Sequence, residues 1–83
     1  MQITLHQFEQ IDGLMSSILR MGPFETCADP RGYIRASNVL LDKLVDAFGL
    51  AFVDTYADAL ECAAAVVAAA LLNPACVVDE VAL

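Results

Sequence analysis

The chain has 83 residues, 59% of them hydrophobic and 18% charged, with a formal net charge of −7. This composition excludes a disordered chain, and a negative field of that size repels phosphate backbones, so no direct nucleic-acid binding is expected. A single domain spanning 1–83 buries only a little over ~60% of its unfolded surface and is marginally stable unless something adds to the core.

The first helix is expected over about 5–21. Thr4 and Gln7 stand at capping-box spacing, and Ile3 and Phe8 take the two positions of a hydrophobic staple. Leu5, Phe8, Ile11, Met15, Ile18 and Leu19 then recur at helical spacing, and Gly22-Pro23 ends the segment. A second helix is expected over 30–48. Asp29 is its cap, Pro30 its first residue and Gly49 its terminator. One stripe is polar (Arg31, Arg35, Asn38, Asp42, Asp46) and the opposite one apolar (Tyr33, Ile34, Leu40, Leu41, Leu44, Val45, Phe48). Gly32 weakens its first turn by ~1 kcal/mol relative to alanine.

The third helix could open at Leu50, but Asp54 or Thr55 is the more natural cap, with Asp58 completing a T-x-x-D pattern, which gives a helix over 54–72. Beyond Asn73-Pro74, either a short fourth helix forms over 75–82, which is the preferred reading, or Cys76-Val77-Val78 extends along an edge. The expected fold is all-α: a small bundle of three main helices and a short C-terminal one.

Residues 62–72, CAAAVVAAALL, are eleven apolar residues in a row. They span only ~16 Å, whereas a bilayer crossing takes about 20 such residues, so membrane insertion is not expected. Val53, Tyr56, Leu60, Ala63, Val67 and Ala70 form a heptad-like seam suited to face the first two helices. The stripe of Asp54, Asp58 and Glu61 continues as Ala65, Ala68 and Leu72, so the polar face stops at Glu61. Ala64, Ala65, Ala68, Ala69 and Leu72 are therefore candidates for a homodimer interface, the small side chains allowing close approach. The alternative is that alanine serves there only as the best helix former on an exposed face.

Cys27, Cys62 and Cys76 are odd in number, widely spaced and without a C-x-x-C pair, which reads as reduced thiols in a cytoplasmic protein and again favours oligomerisation as the stabilising addition. The first ten residues, MQITLHQFEQ, have neither the basic nor the apolar region of a secretion signal.

Little in the sequence carries chemistry. Asp42 with Asp46, and Asp54 with Asp58, are i,i+4 carboxylate pairs that could hold Mg²⁺, but such pairs are ordinary on solvated helix faces. His6 is the lone histidine and is expected at the surface, and no nucleotide-binding or hydrolase motif is present. No cofactor, metal or catalytic residue is assigned, and the chain is read as a non-enzyme.

Charge instead points to a protein partner. Residues 1–36 carry four acids against three arginines, whereas residues 37–83 carry seven acids against Lys43 alone. A basic protein surface fits that imbalance, the alternative being a role in solubility only. If helices 2 and 3 pack antiparallel through the Gly49 turn, Asp42, Asp46, Asp54, Asp58 and Glu61 gather in one negative patch at that end. Arg31 and Arg35 oppose the dipole of the helix they open. With Phe24 and Tyr33 nearby, they make a second candidate partner-binding group, unless they pair with Asp29, Glu25 or Asn38.

A small, acidic, helical chain without a catalytic motif is similar in general character to phage-encoded or mobile-element proteins that disable host machinery, anti-CRISPR proteins among them. The resemblance rests on size and composition and transfers no functional residue. It implies an inhibitor or adaptor that binds a host protein; the other readings are a structural subunit of a hetero-complex and, least favoured, a metal-dependent enzyme using the helical aspartates.

Overall fold

A computed structural model of the chain describes residues 1–78. In order, the elements are β1 (Ile3–Thr4), α1 (Leu5–Arg20), a 3-10 turn at Phe24–Thr26, α2 (Pro30–Phe48), the single-turn α3 (Leu50–Val53), α4 (Ala59–Leu72), a 3-10 turn at Pro74–Cys76 and β2 (Val77–Val78). The described residues form a small all-helical fold in which α1, α2 and α4 supply the bulk.

Local chemistry explains where α1 and α2 begin. The Thr4 hydroxyl accepts from the Gln7 N–H and the Gln7 side-chain carbonyl accepts from the Thr4 N–H, both at 3.1 Å, a complete capping box. At α2 the Asp29 carboxylate accepts from the Gly32 N–H at 3.0 Å, and Pro30 occupies the first turn. Both helices end at glycines in the left-handed half of backbone space, Gly22 (φ +78°) and Gly49 (φ +88°), where a β-carbon would be strained.

One core joins the three long helices. Ile11 and Ile18 of α1, Leu40 and Leu44 of α2, and Cys62, Ala63, Val66 and Val67 of α4 are all buried, together with Ile3 and Val53. Each fully buried aliphatic side chain contributes ~1.5–3 kcal/mol. No polar or charged side chain is buried among the described residues. The expected seam of the third helix holds in its helical part, with Ala63, Val67 and Ala70 buried. On α2, Ile34 and Leu41 stay partly exposed, at 48% and 36%, although they belong to the apolar stripe.

The path of the chain differs from a three-helix hairpin series. Leu60, in the first turn of α4, shares a groove with Ile18 and Leu19 from the end of α1 and Tyr33 from the start of α2. Val77, just past α4, pairs in parallel with Ile3, just before α1. So α4 starts where α1 ends and finishes where α1 begins. It runs antiparallel to α1 and alongside α2 in the same direction.

Residues 49–58 make this possible by running back along α2 before α4 sets off. The expected helix over 54–72 is thereby shortened, because residues 54–58 are a connector and α4 opens at Ala59. Its cap is Asp58, which accepts from the Glu61 N–H at 2.7 Å, in place of Asp54 or Thr55. The D-x-x-E pattern at 58–61 wins over T-x-x-D at 55–58 because the Thr55 hydroxyl is already committed to the Phe52 carbonyl at 2.7 Å.

The expected helix over 75–82 is also corrected within the described residues. Pro74 drives Asn73 to φ −136°, ψ 77°, outside the helical region. The β-branched Val77 and Val78 then pair with Ile3 and Thr4. The remainder of that expected helix, 79–82, lies outside the described residues.

Candidate protein-interaction surface

Three surface groups follow from the sequence, and the fold places them differently. The acidic residues are exposed, but they do not gather at the Gly49 end, because α4 does not pack antiparallel to α2. Asp54 and Asp58 sit on the connector and line an open groove of about 330 Å³ against Ser37, Asn38 and Leu41 of α2. Asp42 and Asp46 lie further along α2 and do not line that groove. Glu61 does not line it either, although its carboxylate accepts from the Ala57 N–H at 2.6 Å, so it helps hold the rim in place.

Tilted aromatic contacts tie the connector to the end of α2. Phe48 and Phe52 have ring centroids 4.9 Å apart, and Phe52 and Tyr56 follow at 5.6 Å. This ladder bridges the Gly49 turn and sets Tyr56 into the groove beside Val53, Leu41 and Ala59. The groove is therefore lined by apolar side chains, by Ser37 and Asn38 and by two carboxylates, and no cationic side chain lines it among the described residues.

Sequence reasoning missed Ser37, Asn38, Leu41 and Tyr56 as neighbours of the acids. The sequence placed Leu41 on the apolar stripe of α2 and carried no signal that it lies in the groove beside the acids.

The aromatic and arginine group occupies the other end of α2. Phe24 and Tyr33 stack at 5.4 Å, so the 3-10 turn packs on the start of α2. Arg31 and Arg35 are exposed, and neither makes a side-chain hydrogen bond among the described residues. Asp29 caps α2. Tyr33 also lines the apolar groove with Leu19, Pro23 and Leu60, about 310 Å³ in volume.

The third group is the outer face of α4. Ala64, Ala68, Ala69 and Leu72 are exposed and Ala65 is half-buried. Leu71 and Leu72 are 69% and 88% exposed.

All three cysteines are free thiols, with Cys62 and Cys76 buried and Cys27 half-buried. Burial, with the Glu61 carboxylate second, pushes the Cys62 thiol above its ordinary pKa, so it is held protonated and behaves as a small hydrophobe. His6 is exposed in the first turn of α1, while Cys27 lies beyond the other end of that helix. Among the described residues no three His, Cys, Asp or Glu side chains converge as a metal-binding group, and no helix is long and apolar enough to cross a membrane. Compared with protein-family models, curated proteins and solved structures, the chain matches none of them.

Proposed function

We propose that this chain is a small acidic, non-enzymatic protein-interaction module, an inhibitor or adaptor of the phage or mobile-element type. In this reading it works in the cytoplasm as a homodimer and takes a basic surface of a host or partner protein into the groove between α2 and the 53–59 connector. The observation that carries this reading is the composition of the groove: Asp54 and Asp58 line it together with Ser37, Asn38, Leu41, Val53 and Tyr56, and no cation lines it among the described residues. A lysine or arginine of a partner fits such a place, laying its alkyl stem on the apolar side chains and its charge against the carboxylates. Phe24, Tyr33, Arg31 and Arg35 supply a second contact area at the far end of α2.

The test is affinity capture from a bacterial lysate with the unaltered chain and with Asp54→Asn/Asp58→Asn. Asparagine keeps the α4 cap and removes the charge, so folding is preserved. Loss of a stoichiometric partner in the double variant supports the reading, and full retention rejects it.

A second reading, a structural subunit of a larger hetero-complex, is favoured by the open apolar face of α4. Under it, capture survives the loss of both carboxylates and is abolished by Leu72→Lys.

A further inference from the structure

The side of α2 that points away from the core carries its charges in order. At ~100° per residue, Arg31, Arg35, Asn38, Asp42 and Asp46 fall within an arc of about 80°, opposite the buried Leu40 and Leu44. All five are exposed. The two arginines lie in the first half of the helix and the two aspartates in the second, and Lys43 lies off the stripe. None of these four charged side chains makes a hydrogen bond among the described residues. Arg35 and Asp42, the nearest opposite charges on the stripe, are seven residues apart. That is ~10 Å along the axis, too far for them to pair with each other.

This order is wrong for a helix alone and right for a pair. Arg31 sits at the positive end of the macrodipole and Asp46 at the negative end, so each opposes the helix that carries it. The spacing is also symmetric. The midpoint of Arg31 and Asp46 and the midpoint of Arg35 and Asp42 both fall between Asn38 and Val39. We propose that a second copy of the chain packs antiparallel on this face, with the two-fold axis between Asn38 and Val39. Arg31 then meets Asp46 of the second copy, and Arg35 meets its Asp42. The inference deepens the homodimer reading given above, rests on it, and assigns Arg31 and Arg35 to the second copy.

The two-fold repeats both ion pairs, as an isologous contact must. Arg31 then lies by the negative end of the other helix and Asp46 by its positive end, so the dipoles that opposed these charges now favour them. A parallel pair sets Arg31 against Arg31 and Asp46 against Asp46, which like charge disfavours. A different protein would need the reversed charge order at the same spacing, whereas a second copy has it by symmetry. Val39 and Ile34, 44% and 48% exposed, lie along the edges of the stripe and add apolar contact at and beside the axis. The groove at Asp54 and Asp58 opens on the Leu41 side of α2, about 100° round the helix from the middle of the stripe. Asn38 stands at the border between the two. The contact runs ~22 Å along α2, at the small end of specific interfaces, and dissociation is expected on the order of micromolar.

Sedimentation equilibrium of charge-reversed chains tests the pairing. Arg31→Glu/Arg35→Glu makes every charge on the stripe negative, and Asp42→Arg/Asp46→Arg makes every one positive. Each double variant is expected to weaken dimerisation by more than ~100-fold. The chain with all four substitutions reverses the order and is expected to dimerise again, and an equimolar mixture of the two double variants to form a one-to-one heterodimer. Folding does not confound the result, because acids at the start of α2 and bases at its end favour the helix. Circular dichroism is expected to show unchanged helix content in every variant.

Double variants that dimerise as tightly as the unaltered chain overturn the α2 pairing and leave the homodimer reading standing. Double variants that dissociate, with a four-substituted chain that stays monomeric, overturn the antiparallel register. A monomer of the unaltered chain at ~100 μM, well above the dissociation expected of an interface this small, overturns the homodimer reading itself and leaves the stripe to a different protein.

Discussion

The Asp29 carboxylate accepts the Gly32 N–H at 3.0 Å and occupies the space a β-carbon on Gly32 would take. A β-carbon at residue 32 would stand 2.8 Å from the Asp29 carboxyl carbon, closer than packed atoms allow. The glycine that weakens the first turn of α2 is thus the residue that admits the cap. Gly32→Ala is expected to displace the carboxylate and lose a cap worth about 0.5–2 kcal/mol. That loss offsets the ~1 kcal/mol gain in helix propensity, so urea denaturation should show no stabilisation. Gly13, on the exposed side of α1, has nothing within 4 Å of its would-be β-carbon. Gly13→Ala should stabilise by about 0.5–1 kcal/mol, and equal responses of the two variants would refute the contrast.

Asp58 provides a second pair of comparisons. Its carboxylate caps α4 through the Glu61 N–H, while the Glu61 carboxylate accepts from Ala57. Asp58→Ala should cost ~1 kcal/mol, which in a chain of this size lowers Tm by roughly 4–8 °C. Asp58→Asn should change it little, because asparagine caps as well as aspartate. A thermal melt in which both variants fall equally would mean that charge, and not the hydrogen bond, holds the start of α4.

How much of this was legible in the sequence depends on where the deciding interactions lie. The starts of α1 and α2 were fully legible, since Thr4 with Gln7 and Asp29 with Pro30 are local patterns whose partners sit within three residues. The connector was not. The sequence offered Asp54 or Thr55 as the cap and read Asp58 as the end of a T-x-x-D pattern, whereas the Thr55 hydroxyl is taken by the Phe52 carbonyl, the Phe52 ring packs tilted against Tyr56, and Asp58 becomes the cap. The pairing of Val77 with Ile3 joins residues from opposite ends of the chain, which no local periodicity reports. The acidic residues were readable individually. Their division between the groove (Asp54, Asp58) and the far part of α2 (Asp42, Asp46) followed only from the direction of α4.

Cys62 gives stability a pH dependence of known sign. Burial makes the folded chain hold the thiol proton more tightly than the unfolded chain, in which an ordinary thiol titrates near 9.0, and the Glu61 carboxylate acts in the same direction. This contribution is complete below that value and is lost as pH rises through the folded pKa. Cys62→Ala removes it while adding a cavity cost that does not vary with pH. The stability gap between the unaltered chain and the variant should therefore narrow as pH rises above about 9 in urea titrations, and a constant gap would contradict the assignment. Thiol labelling at neutral pH should modify half-buried Cys27 first and leave Cys62 untouched in the folded chain.

The central claim is the proposed one, that the groove at Asp54 and Asp58 takes a protein partner while the chain acts as a homodimer. Native mass spectrometry of the complex eluted after affinity capture tests both halves in one measurement. The account predicts an assembly containing two copies of this chain together with the partner, and a bare dimer of the chain from Asp54→Asn/Asp58→Asn. A complex holding a single copy of the chain, or a double variant that still carries its partner, would contradict it.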